Sequence, residues 1–158
     1  MVAHSSLTGS DLHEPKGAAG ASSGQVYTAD GAGSGSWEAA NVKNKVYLTY
    51  TIDDITTADS YFIPIPFACT LTSVEAVLSK GSGSLDSDTT ITFEIATVAT
   101  TGGVITLATS GAAEGNQHAG TAITSNNSLD GDTALEIVND GAATVGGEVV
   151  VIVELTLT

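Results

Sequence analysis

Apolar and polar positions alternate with a period of two along most of the chain from about residue 45 onward, the signature of half-buried strands. The clearest stretch is 89–98, where Ile91, Phe93 and Ile95 fall on one face and Thr90, Thr92 and Glu94 on the other. Further strands are predicted over 46–52, 71–79, 104–107 and 134–138, with a short one over 121–124. The run 61–67 reads as extended, and Pro64 and Pro66 confine it to a sheet edge or an irregular strand. The chain ends in a long strand, 148–157, whose continuous apolar middle predicts cover on both faces, from the core and from a loop or neighbouring subunit. Turns are predicted at 53–59, 81–88, Gly102-Gly103, 111–120, Asp130-Gly131, Asp140-Gly141 and Gly146-Gly147. Roughly eight short strands with no convincing helix predict an all-β fold, a jelly-roll-like β-sandwich.

The first 40 residues break this pattern. The stretches 17–24 and 30–36 are made of Gly, Ala and Ser with one Asp, too poor in apolar surface to offset their ordering entropy. Between them lies a β-prone island, Gln25-Val26-Tyr27-Thr28. The expected organisation is an extended N-terminal arm, 1–40, followed by a sandwich domain, 41–158. Sticky islands between spacers suit an arm that lies along another protein's surface. Trp37, the single tryptophan, stands at the expected arm–domain junction as an anchor over the sandwich end or an edge strand.

Composition narrows the function. Charged residues make up 14% of the chain, below the ~25% of ordinary domains, and the net charge is −14 with four Lys plus Arg. So acidic a chain has no surface for phosphate backbones, which excludes nucleic acid as a partner and disfavours anionic membranes. No apolar run approaches the ~18 residues of a membrane helix, and the N-terminus lacks the basic and apolar segments of a signal peptide. The lone cysteine, Cys69, sits in an apolar run and reads as a small buried hydrophobe.

Candidate chemistry is sparse. His4, His13 and His118 are dispersed, and none has metal-ligand spacing to Cys69. Asp53-Asp54, Asp86 with Asp88, and Asp130 with Asp132 read as turn residues that bond their own backbone rather than as calcium ligands. Glu75 and Glu94 have the residue type of a glycosidase pair, but strand glutamates on a sandwich more often face solvent. No nucleophile elbow, phosphate loop or dinucleotide fingerprint occurs. No catalytic residue, metal site or cofactor is expected, and the chain reads as a non-enzyme.

Two segments carry a resemblance. Leu7-Thr8-Gly9-Ser10-Asp11-Leu12-His13-Glu14-Pro15-Lys16-Gly17, then Gly24-Gln25-Val26-Tyr27 and Gly33-Ser34-Gly35-Ser36-Trp37, resembles the N-terminal region of tailed-bacteriophage virion proteins. Thr90-Ile91-Thr92-Phe93-Glu94-Ile95 and the stretch from Asp132 to Thr144 are similar to strands of small phage head-decoration domains. The resemblance implies a capsid decoration (cement) protein, a structural protein of the virion on the outer capsid surface, assembled in the host cytoplasm. It implies a homo-oligomer, a trimer, whose arms staple the major capsid protein. It makes Leu12, His13, Glu14, Pro15, Lys16, Val26 and Tyr27 the capsid-docking residues of the arm. The alternative is a tail-fibre or spike module that binds host-surface carbohydrate, which would require an exposed aromatic platform.

Overall fold

The computed structural model describes residues 20–30, 32, 35–39, 44–81 and 85–158. The chain divides into two compact units, 1–43 and 44–158. In the first, β1 (Gln25–Ala29) and β2 (Gly35–Ala39) form an antiparallel hairpin. The Gly-rich 30–36 stretch is thus less of a spacer than its composition predicts, since Gly35 and Ser36 already belong to β2. Glycine is needed there because a side chain at position 35 would run into the Thr28 carbonyl and the Tyr27 ring.

The second unit is a β-sandwich. Its strands are β3 (Lys45–Ile52), β4 (Asp59–Ile63), β5 (Ala68–Gly81), β6 (Thr89–Ile95), β7 (Val98–Ala99), β8 (Ile105–Leu107), β9 (Gln117–Ala119), β10 (Ser128–Asp130), β11 (Leu135–Asn139) and β12 (Gly147–Leu157). The first sheet runs β10-β5-β12-β3, with β9 also on β5; the second runs β4-β11-β6-β7, with β8 also on β6. Every pairing is antiparallel. The pairings are nested: the chain's outermost strands β3 and β12 meet, then β4 and β11, then β5 and β10.

Alternation places one contiguous core between the sheets. Ile52, Leu71, Val74, Leu78, Val149, Val151, Val153 and Leu155 point in from the first, and Ile91, Phe93, Ile95, Ile105, Leu107, Leu135 and Ile137 from the second. Cys69 is fully buried among them, and its desolvation pushes the thiol pKa up. Among the described residues no helix is long and apolar enough to cross a membrane.

Four local differences from the sequence pattern have physical causes. Residues 121–124 are not a strand; Thr121 and Thr124 bond locally to the 101–104 segment, and the ladder forms instead at β9 and β10. β6 stops at Ile95 because Ala96 and Thr97 both take positive φ, 52° and 64°, making a two-residue hairpin turn without its usual glycine. The Pro64-Ile65-Pro66 segment follows β4 rather than lying in it, and β4 is an edge strand that ends where the prolines begin. Lastly, β12 alternates buried and half-exposed positions, so its apolar run is covered fully on one face only.

β5 is longer than its register with β12 needs. Register slips at Glu148/Val149 and at Glu154/Leu155 leave Ser79 and Thr72 as extra residues, two β-bulges. Each bulge hydroxyl donates to a β12 carbonyl at the slip. Thr72 Oγ1 reaches the Glu154 carbonyl at 3.1 Å and Ser79 Oγ the Glu148 carbonyl at 3.2 Å.

Candidate functional site

The expected docking residues Leu12, His13, Glu14, Pro15 and Lys16 lie outside the described residues. Val26 and Tyr27 sit in β1, where strand alternation sends them to opposite faces. Tyr27 stands opposite Trp37, their rings meeting edge to face at 5.5 Å and 65°. The Gln25 side-chain amide donates to the Trp37 carbonyl at 3.4 Å, and its oxygen accepts from the Ser22 amide at 2.7 Å. Val26, opposite Glu38, is largely exposed. The sequence places Trp37 at a junction; in the fold it is half of the hairpin's aromatic pair.

At the sandwich, chain entry is held at Asn44. Its carbonyl accepts from the Leu157 amide at 2.8 Å, and its side-chain amide donates to the Leu157 carbonyl at 2.8 Å. Asn44 is therefore tied to the end of β12 by two bonds, one strand position before β3 begins. Next to it, Glu154 collects three strands on the outer face. It accepts from Lys45 Nζ at 2.7 Å, Tyr47 Oη at 2.7 Å and Thr72 Oγ1 at 2.9 Å. Those bonds, led by the one from Lys45, lower the Glu154 pKa from 4.5 to about 2. They raise the pKa values of Lys45 and Tyr47 by favouring their protonated forms. Tyr47 remains 61% exposed, and with Ser73, Glu75, Ile152 and Glu154 it lines a shallow pocket.

The acidic turns have structural duties. Asp86 accepts from the Thr144 hydroxyl and from the Thr144 and Val145 amides; Asp130 accepts from the Asp132 and Thr133 amides, Asp54 from the Thr56 amide and Asp88 from the Thr109 amide. Hydrogen bonds to the charged form lower the pKa values of Asp86, Asp130 and Asp54. Among the described residues no group of three or more His, Cys, Asp or Glu is placed to hold a metal ion. Glu75 lies on the outer face of the first sheet and Glu94 on that of the second, so the sandwich core separates them and they cannot act as a pair. His118 faces inward opposite Ala76, its Nε2 buried without a hydrogen-bond partner.

Across the second sheet's outer face, 63% exposed Phe62 stands beside Glu136, which stands opposite Glu94. Comparison of the chain with protein-family models, with curated proteins and with solved structures finds no match.

Asn44, Lys45, Tyr47, Thr72 and Glu154 were not singled out from the sequence. The alternation of 45–52 hinted that Lys45 and Tyr47 share a face. The register that brings Glu154 between them, across more than 100 residues of chain, has no local signal.

Proposed function

We propose that this chain is a non-enzymatic bacteriophage virion protein, a capsid decoration (cement) protein that binds the outside of the head and stabilises the shell. The observation that carries the reading is a contrast between the two units. No described residue of the hairpin unit is buried, whereas the sandwich has a complete core and holds its chain entry at Asn44 with two bonds. Exposed apolar residues of the hairpin, Val26 among them, gain cover by lying on another protein. A rigid body that fixes the segment's root then turns several weak dockings into one strong attachment. We read the nested order of the strands as a jelly roll, the architecture the decoration-protein resemblance implies. The partner in this reading is the major capsid protein, the copies associate with one another, and the location is the virion's outer surface.

The test is co-sedimentation with phage heads stripped of their decoration protein. Full-length protein is expected to bind stoichiometrically, and protein lacking residues 1–43 to remain in the supernatant. Equal binding by both, or by neither, removes the reading.

A second reading, a tail-fibre or spike module that binds host carbohydrate, is favoured by one observation. Exposed Tyr47 beside Glu75 offers a sugar an apolar ring and a hydrogen-bonding carboxylate. Glycan binding that is lost in Tyr47→Ala, with no binding to heads, would put this reading first.

A further inference from the structure

Within the sandwich, most sheet edges are short or blunted. β7 has two residues, β8, β9 and β10 have three each, and β4 has five, starting at Asp59 and ending just before Pro64. β3 is different: eight residues, KVYLTYTI, with no proline and no inward charge, paired among the described residues with β12 alone by an unbroken register. Natural edge strands are usually protected by such devices, because an unpaired row of amides and carbonyls templates another strand.

The bonding phase of β3 shows which groups are unpaired. The Leu157 amide bonds the Asn44 carbonyl, and the Ile55 amide bonds the Gly147 carbonyl, so the odd-numbered residues of β12 direct their backbone groups toward β3. Their partners in the register are Val46, Leu48, Tyr50 and Ile52. By alternation, Lys45, Tyr47, Thr49 and Thr51 turn their amides and carbonyls to the free edge.

We propose that this edge pairs with β3 of a second copy of the chain, antiparallel about a two-fold axis through Leu48. That register sets Lys45 against Thr51 and Tyr47 against Thr49, with Leu48 against itself. It uses every outward-facing residue of the strand and makes about eight backbone bonds. On the core side it brings Val46 over Tyr50, covering residues that are only half-buried at this flank, where Tyr50 meets Tyr61 at 5.2 Å. Charge does not oppose this occupant. Two chains of net charge −14 repel over most of their surface, but β3 carries one Lys and no acid, so no two acids of the paired strands face each other in this register. This goes beyond the cement reading and does not rest on it. It sets the copy number at two, where the resemblance implies three.

The test is the mass of full-length protein by sedimentation equilibrium. A dimer, twice 15.8 kDa, is expected, tightening as salt screens the remaining acidic surface. Thr49→Pro removes an edge-facing amide without touching the β12 ladder, and is expected to give a folded monomer. Should that variant fail to fold, Thr51 decides: Thr51→Glu, opposite Lys45 of the other copy, is expected to dimerise roughly tenfold more tightly than Thr51→Lys. A monomeric or trimeric wild type overturns the proposal. So does a folded Thr49→Pro dimer, or equal affinities for the two Thr51 variants.

Discussion

The hairpin and the sandwich are built from the same kind of pairing, yet among the described residues only the sandwich has buried positions. β1 and β2 pair over five residues with a continuous register, and Tyr27 and Trp37 add an edge-to-face contact, but their most covered positions are only half-buried. In the sandwich, strands no longer than β1 bury alternate side chains completely; β11, also five residues, buries Leu135, Ile137 and Asn139. The difference is the second layer. A strand pair satisfies backbone groups but leaves both faces wet, and a lone two-stranded hairpin is marginal in water. Two sheets face to face remove apolar surface from water, the dominant favourable term in folding.

The sharpest break of this comparison is Phe93→Ala. Phe93 is the largest of the fully buried side chains, and its truncation is expected to cost about 3–5 kcal/mol in urea unfolding. Trp37→Ala, the largest truncation possible in the hairpin, is expected to leave sandwich stability within about 0.5 kcal/mol. A loss for Trp37→Ala approaching that for Phe93→Ala would erase the distinction.

Two glycines give the next largest effect. Gly141 has φ +65°, and a side chain there would strike the backbone of Thr57 and Ala58; Gly141→Ala is expected to destabilise the sandwich by about 2 kcal/mol. Gly24, with φ +85° and open space around it, should when changed to Ala disturb Trp37 fluorescence and leave the urea midpoint in place. A shifted midpoint for Gly24→Ala would mean that the hairpin contributes to global stability.

The turn between β6 and β7 sharpens the comparison in the stabilising direction. Ala96 and Thr97 occupy the left-handed region without the residues that favour it, so Ala96→Asn with Thr97→Gly is expected to raise stability by about 1 kcal/mol. An unchanged or lower urea midpoint would show that the turn is held by contacts of those side chains.

The smallest effect concerns Glu154. Its native pKa, about 2, lies below the ordinary value of 4.5, so its ionised form stabilises the fold. That contribution is complete above about pH 5 and fades as pH falls toward 2. The network is on the surface, so Glu154→Gln is expected to lower the melting midpoint by only about 2 °C at pH 7, with the gap closing by pH 2. A pH-independent gap would assign the loss to Thr72 and the β5 bulge instead of to the charge.

Much of the fold was legible in the chain because period-two alternation is a local signal that burial merely completes. The strands around Ile91–Phe93–Ile95 and Leu135–Ile137 were readable from their own residues, as was the interruption of regular structure at Pro64 and Pro66. β2 was hidden because Gly35 and Ser36 have spacer composition; they pair with Ala29 and Thr28, at a place where a side chain on residue 35 would strike the Thr28 carbonyl and the Tyr27 ring. β9 was hidden inside a polar stretch for a similar reason, its pairing being supplied by β5.

The sequence by itself determined the all-β class, the contrast between a low-complexity start and a regular remainder, and a net charge of −14. These depend on composition and on neighbours two residues apart. Only the tertiary structure decided that Glu154 gathers Lys45, Tyr47 and Thr72, that Asn44 is tied to Leu157, that Glu75 and Glu94 lie on opposite faces, and that β3 ends its sheet among the described residues. Each depends on register between strands distant in the chain. The free energy that selects a register is spread over the whole buried face rather than written in any one segment.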